Sequence, residues 1–237
     1  MSFWIGGKHT VTEALNNPQR IIKEVAVLDE RRREFLINNT KFKNIKINNQ
    51  KFFNKIFLDE MIHQGYAAHI EDTEKKNIIN DLNKGLLESN IILLDEITDP
   101  RNIGSIVRTA VAFNINSILV KKRNYNSKSS AMYKAASGCM EKIKIYETTN
   151  LANILSKLKE KNYFLTGLDS HSNSYFDNKT KFFPKNIFVF GSEEFGMRNL
   201  TKKMCDQLIK IKISKEVESM NVSNSVASFL ALYRFTH

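Results

Sequence analysis

The sequence has little from which to build a disulfide or metal framework. Its two cysteines, Cys139 and Cys205, lie far apart and fit no ligand spacing. Its five histidines (His9, His63, His69, His171 and His237) form no metal-like cluster. A reduced, metal-free protein is the economical expectation. No apolar run approaches the roughly 18 residues that a membrane helix needs. The N-terminus has no basic segment followed by an apolar core. These absences disfavour membrane insertion and secretion, and a cytoplasmic location is expected. There is no G-x-G-x-x-G or Walker pattern, so an ordinary dinucleotide or ATP site has no support. Internal repeats are also absent.

What is present is a chain of 237 residues, enough for one large domain or two small ones. Hydrophobic content of 42% and charged content of 26% are ordinary for a globular protein. The formal net charge of +11 is not. A surplus of this size favours a polyanionic partner, nucleic acid before an anionic membrane. A composition rich in Lys, Asn and Ile gives the same drift without selection for binding. Residues 1–70 hold 11 basic against 7 acidic side chains. Residues 121–144 hold seven basic side chains (Lys121, Lys122, Arg123, Lys128, Lys134, Lys142, Lys144) and one acid, Glu141. That stretch reads equally as a phosphate-facing surface or as a solvated loop.

Periodicity gives a small α/β unit first, with helices over 10–15 and 29–38 and another starting near Asn49. Strands are expected over 24–28, 45–47 and 65–70. The charged, apolar-poor segment 71–76 reads as a linker. Thereafter strands (91–94, 117–120, 143–145, 163–167, 187–190, 208–213) alternate with helices (102–113, 130–137, 151–160, 221–234). Short apolar strands alternating with helices predict a mostly parallel sheet covered on both faces.

Three segments follow strands in this reading. They are Asp99-Pro100-Arg101-Asn102-Ile103-Gly104 with Arg108 beyond it, Gly191-Ser192-Glu193-Glu194-Phe195-Gly196, and Ser219-Met220-Asn221. Ligands of open α/β sheets bind beyond the carboxyl ends of strands, so the three converge on one region. Gly191 and Gly196 bracket a loop that needs positive φ or close approach. Arg108 sits among Ile106, Val107, Ala110, Val111, Ala112 and Phe113, a pattern that predicts a buried helix and an anionic partner for the guanidinium. Ser219 and Asn221 are placed to cap the last helix.

In this order and spacing the segments resemble the three motifs of the SPOUT class of RNA methyltransferases, in the TrmH-like branch that methylates ribose 2′-hydroxyls. The resemblance runs from about Ile91 to Tyr233. It implies a trefoil-knotted catalytic domain, S-adenosylmethionine as cofactor and a homodimer. It places Arg108, Asn102, Glu193, Ser219 and Asn221 in the catalytic pocket. Cofactor contacts fall on Gly191, Ile211 and Met220, with Glu193, Gly196 and Asn221 beside them. Where the family usually carries a proline and a glycine before the third motif, this chain has Lys212 and Lys215, so that loop is expected to be shaped differently.

The segments Trp4-Ile5-Gly6-Gly7-Lys8-His9 and His63-Gln64-Gly65-Tyr66-Ala67-Ala68 look like the ends of the ribosomal-protein-like substrate domain of bacterial 23S rRNA (guanosine-2′-O-)-methyltransferases. The expected organisation is therefore an α/β protein with an RNA-binding domain over 1–70, a linker and leading helix over 71–88, and a SPOUT domain over 89–237. A tRNA ribose methyltransferase and a non-catalytic RNA-binding protein on the same fold are the alternatives.

Overall fold

A computed structural model describes residues 2–57, 62–72, 74–214 and 216–236. The chain divides into two compact units, one of residues 1–74 and 126–142 and the other of 75–125 and 143–237.

The first unit begins with β1 (Ser2–Gly6), α1 (Lys8–Asn16), β2 (Ile22–Val27), α2 (Glu30–Asn39), β3 (Lys46–Ile47), α3 (Gln50–Phe57) and β4 (Tyr66–Glu71). Its sheet runs in the order β1-β4-β2-β3, with β4 antiparallel to both of its neighbours. Phe53 and Phe57, one helical turn apart on α3, pack with Ala26 and Ala67 of the sheet. β1 was not expected as a strand, because it is short and ends in the first of two consecutive glycines, Gly6 and Gly7. The segment His63-Gln64-Gly65 forms the turn into β4, where Gln64 and Gly65 both have positive φ, 56° and 77°. A Cβ on Gly65 would lie 2.5 Å from Arg32 Nε and 2.9 Å from Leu28. His63 stacks on Phe53 at 4.6 Å, and this burial, with Lys134 and Arg32 nearby, lowers its pKa.

The second unit contributes α4 (Ile78–Asn83), β5 (Asn90–Asp95), α5 (Pro100–Ala112) and β6 (Ser117–Lys121). After α6 (Ser130–Ala136), which belongs to the first unit, come β7 (Lys144–Thr148), α7 (Leu151–Lys159), β8 (Phe164–Leu168), β9 (Asn186–Gly191), α8 (Asn199–Met204), β10 (Gln207–Ile209) and α9 (Val222–Thr236). The six strands lie in the order β10-β8-β9-β5-β6-β7, and every pairing is parallel. Both faces are covered, which is why β5 reads Ile-Ile-Leu-Leu without alternation. Ile91 and Leu93 pack with Leu151, Leu155 and Leu158 of α7. On α9, Phe229 meets Phe188 at 4.9 Å and Phe190 at 5.8 Å.

The order reverses at the β5–β9 pair. From β5 the chain winds outward through β6 and β7, then returns so that β8 and β10 lie beyond β9. A reversal of this kind opens a crevice at the carboxyl ends of the two strands, the usual ligand position in such sheets.

Two expectations need correction here. The strand expected over 208–213 ends at Ile209. Beyond it Lys210 makes only a single bridge, to Tyr175, and residues 211–214 leave the sheet. Residues 126–142, which the expected 89–237 domain includes, group with the first unit instead. The physical reason is a buried ion pair. Glu141 accepts from Arg20 Nε at 3.0 Å and Nη2 at 2.8 Å, and from Asn17 Nδ2 at 2.7 Å. Both side chains of the pair are 3% exposed or less.

Candidate active site

Three loops meet at the carboxyl ends of β5 and β9. The first runs from β5 into α5, whose start is fixed by the Asp99 carboxylate accepting from Arg101 N at 2.8 Å and by Pro100 in the first turn. The second follows β9. Ser192 and Gly196 close it by exchanging backbone hydrogen bonds of 3.1 and 3.0 Å. Gly196 has φ +64°. At Gly191 a Cβ would lie 2.2 Å from Gly196 C and Met197 N, so only glycine permits the loop to fold back here. The third loop enters α9 at Val222.

One carboxylate oxygen joins all three. Glu193 Oε1 accepts from Asn102 Nδ2 at 3.1 Å, Asn221 Nδ2 at 2.6 Å and Val222 N at 3.0 Å. Asn221 Nδ2 also donates to Asn102 Oδ1 at 3.0 Å. Asn221 Oδ1 accepts from Ser223 N at 3.0 Å, so Asn221 caps α9 while Glu193 places negative charge at the same N-terminus. The three residues form a closed polar ring, which makes them cross-braces between loops.

Beside this ring lies a cavity of about 440 Å³. Its wall includes Gly191, Glu193, Gly196, Ile211, Ser219 and Met220, along with Asp169 and Lys202. Ser219 is exposed, and its hydroxyl makes no hydrogen bond to a described residue. A second cavity of about 570 Å³, lined by Asn102, Asp99 and Thr98, shares the loop 192–196 as a wall. Phe195, at the tip of that loop, is 79% exposed.

Arg108 lies outside this assembly. It lines neither cavity, and it is exposed, which overturns the expected burial. Helix α5 buries Ile103, Gly104, Ile106, Val107 and Ala110, whereas 101, 108 and 112 are exposed. The helix thus has a solvent-facing stripe that its apolar residues at 111 and 112 hide in the sequence. Among the described residues Arg108 has no ion-pair partner. Of the two lysines in the unusual loop, Lys212 is exposed in the irregular segment after β10, and Lys215 falls outside the described residues.

Two features of the region were not anticipated. Asp169 and His171, just past β8, are at the carboxyl end of a strand, a position that should have drawn attention to them. Lys202 Nζ sits 2.7 Å from Asp169 Oδ2. Burial acts to raise the Asp169 pKa, but the hydrogen bonds from Lys202 and the His171 amide outweigh it and lower it. The second feature is a charge cluster at the end of β5. Asp95 is fully buried, 3.1 Å from Lys121 Nζ, and accepts from Arg198 N at 2.9 Å. Glu96, at φ +63°, turns back to meet Lys121 at 2.6 Å, Arg123 at 2.7 Å and Arg198 Nε at 2.6 Å. Burial would raise its pKa, yet hydrogen bonds from Lys121, Arg123 and Asn124 hold it at about 2. This cluster ties the exit of the 191–196 loop to β5 and β6.

The basic stretch 121–144 is therefore largely engaged with protein. Lys121 and Arg123 pair as above, Lys142 with Glu13 at 3.0 Å, and Lys144 with Asp81 at 3.5 Å. Lys134 Nζ donates to Gln64 Oε1 at 2.9 Å. Most of the cations of this stretch are thus answered within the protein, while Lys122 is exposed with no ion pair among the described residues. Among the described residues no cluster of three or more His, Cys, Asp or Glu side chains is arranged to hold a metal, and no helix is long and apolar enough to cross a membrane.

Residues 89–231 match the SpoU rRNA Methylase family. A 23S rRNA (guanosine-2′-O-)-methyltransferase RlmB from Nitrosomonas europaea is 33% identical over 230 residues, 94% of this chain and 88% of that protein. The protein of the same name from Escherichia coli is 30% identical over 242 residues, 98% of this chain and 97% of its own length. The crystal structure of the SpoU methyltransferase AviRb from Streptomyces viridochromogenes, in complex with AdoMet, shares the fold at a TM-score of 0.81 and 16% identity, covering 99% of this chain and 91% of that one. The three bridged loops of this α/β unit, and the segment 89–231 that holds them, make the chain a member of the SpoU rRNA methylase family.

Proposed function

We propose that this chain uses S-adenosylmethionine to methylate a ribose 2′-hydroxyl of RNA, at a guanosine of 23S rRNA. The observation that carries the reading is the ring of Asn102, Glu193 and Asn221 beside a cavity that gathers Gly191, Ile211 and Met220. The relatives named as 23S rRNA enzymes match over nearly their whole length, which favours rRNA over tRNA.

The cavity fits the cofactor chemically. Its lining carries Asp169, Glu193, Glu194 and Glu218 against Lys202 and Lys210, an acidic balance suited to a ligand with sulfonium and ammonium charges. The fold-back at Gly191 leaves backbone groups at its wall, where a side chain would have filled space. Gly191, Ile211 and Met220 would hold it through backbone contacts. When bound, it supplies an electrophilic methyl group.

The remaining work falls to this chain's own residues. The polar ring fixes the three loops so that a nucleotide meets a preset surface, and positioning contributes roughly 7–11 kcal/mol to reactions of this kind. Ser219 offers a free hydroxyl to orient the ribose. Arg108, exposed and without an acidic partner among the described residues, grips an RNA phosphate and lowers the hydroxyl's pKa through its charge. It does not act as a base, since a guanidinium stays protonated. Residues 1–70 act as the RNA-binding domain, and the catalytic domain is knotted and dimeric as in the SPOUT class, working in the cytoplasm.

Purified protein with cofactor and 23S rRNA should yield RNA that resists alkali at one step after a guanosine, because a 2′-O-methyl removes the attacking hydroxyl. A methylated product that still cleaves there would overturn the ribose assignment. Absence of any cofactor binding by calorimetry would overturn the methyltransferase reading itself.

A further inference from the structure

A second feature of the second unit lies away from the three loops, along the β10 edge of the sheet. Between β8 and β9 the chain runs through residues 174–183. With β10, Phe164 and Asp206, this segment lines an open groove of about 570 Å³.

The segment is pinned throughout. Lys210 N donates to Ser174 O at 2.9 Å and Phe176 N to Lys210 O at 2.8 Å, which extends the sheet edge by one bridge. Thr180 Oγ1 accepts from Asp177 N at 3.0 Å, and Gln207 Nε2 donates to Lys181 O at 2.9 Å. Fully buried Asn186 donates to Phe183 O and accepts from Phe183 N at 3.0 Å. Phe176 and Phe182 are the inward rings, both packed near Phe229.

The side chains left outside include two aromatic rings and two lysines. Tyr175 is 51% and Phe183 46% exposed, the latter tilted against Phe164 at 4.4 Å. Lys179 and Lys181 are exposed, with no ion pair among the described residues. Lys210 Nζ stands 4.7 Å from the Tyr175 ring centre, so that ring is already a cation–π platform. The acids at the groove are Asp177 and Asp206. Asp177 Oδ1 is occupied by Lys179 N and Thr180 Oγ1, and Asp206 pairs with Lys159 at 2.6 Å.

We infer that this edge is a binding groove for single-stranded RNA, in which Tyr175 and Phe183 stack bases while Lys179 and Lys181 meet phosphates. Held aromatic faces interleaved with free cations are the features by which single strands are bound without sequence preference. A purely apolar partner would leave the lysines unanswered, and an acidic peptide would not use the two exposed rings. Lys210, whose Nζ stands over the Tyr175 ring, also lines the cofactor cavity, so this one residue links the groove's aromatic platform to the active site. The inference rests on the reading of the chain as an RNA methyltransferase, and it assigns to this edge the unpaired nucleotides next to the modified one.

The test uses the full-length protein and an rRNA fragment that carries single-stranded flanks. Tyr175→Ala should weaken binding by about fivefold or more, the loss expected for one stacked base. Tyr175→Phe keeps the ring and should bind as wild type does. The double variant Lys179→Gln, Lys181→Gln should lower the slope of log affinity against log salt by about 1.4, at roughly 0.7 per single-strand phosphate. Cofactor affinity, measured separately, should not change in any variant. Unchanged RNA affinity and slope in Tyr175→Ala and the double variant would overturn the groove. Binding to ribosomal particles that weakens while binding to naked RNA does not would overturn it in favour of a protein partner. If no RNA is ever methylated, the catalytic reading fails, and the binding data still decide the groove.

Discussion

The two lysine-rich stretches of the chain have opposite fates. Residues 121–144 are the denser in charge, yet Lys121, Arg123, Lys142 and Lys144 each meet a carboxylate of the protein. Residues 174–185 carry fewer cations, but Lys179 and Lys181 project into a groove with no ion pair among the described residues. Arg108, on α5, is left open in the same way. Charge density along a sequence thus says little about charge available to a ligand. What matters is whether the fold brings an acid to meet it, and this separates cations that build the protein from cations that hold RNA.

The largest effect should fall where the pairing is most buried. Glu141, the one acid of the 121–144 stretch, answers Arg20 with both side chains nearly inaccessible. Removing one partner of a buried pair leaves an uncompensated charge and costs about 3–5 kcal/mol. Glu141→Ala should therefore lower unfolding stability by about that amount, and Glu141→Gln by less, since an amide oxygen still accepts. Denaturant unfolding measures both. A loss under about 1 kcal/mol in Glu141→Ala would mean that the pair is not what holds residues 126–142 to the first unit.

Arg108 is the contrasting case. Arg108→Ala should leave stability and cofactor affinity close to wild type and reduce methyl transfer by about 100-fold or more, the scale of losing one electrostatic stabiliser of a transition state. Arg108→Lys keeps the charge but loses the planar fork, so it should also be badly impaired. Single-turnover methylation alongside thermal unfolding would separate the two kinds of cation. Near-normal turnover in both variants would place Arg108 among surface arginines of no consequence.

How far the chain could be read in advance follows the same division. Buried parallel strands such as Ile91–Leu94 and Ile187–Phe190 are visible because both faces are apolar, and the loops after them fall at the carboxyl ends by necessity. The residues of the polar ring could be named, but their bonding could not. Asn102 and Asn221 are 119 positions apart, and nothing local says that they share a carboxylate. Arg108 was misread as buried because Val111 and Ala112 lie on or beside the exposed stripe of α5. The pairing of Lys121 and Arg123 was invisible because Glu96 is 25 or more positions away and reaches them only through a left-handed backbone turn. Strand β10 was drawn too long because Ile211 and Ile213 continue its alternation after the backbone has left the sheet.

The Glu96 cluster gives a pH signature. Its carboxyl is held at about 2 against an ordinary value of 4.5. A depressed pKa adds stability that is fully present above the ordinary value and is lost as pH falls through the folded one. The stability gap between wild type and Glu96→Gln should thus be constant above about pH 5, shrink between about 4.5 and 2, and close below that. Urea unfolding across that range reads it directly. A gap that stays constant down to pH 2 would mean that Glu96 is not ionised in the cluster.

The smallest expected effect is the sharpest test of the contrast. Lys144 Nζ lies 3.5 Å from Asp81 Oδ2 and donates to Leu86 O at 3.2 Å, with about a third of its side chain exposed. Partly exposed pairs of this kind are weak, about 0–1 kcal/mol, so RNA could in principle draw the lysine away. Two things oppose that. Lys144 would have to give up the Leu86 carbonyl as well as the carboxylate, and Asp81, already bound by Tyr146 Oη at 2.6 Å, would be left facing the incoming phosphate. Lys144→Gln should therefore leave the salt slope of RNA binding unchanged, where each lysine lost from the β10 groove lowers it by about 0.7. The two variants measured side by side, on one RNA and over one salt range, decide it. Equal changes in slope would show that pairing within the protein does not withhold a cation from RNA, and the distinction between the two stretches would fall.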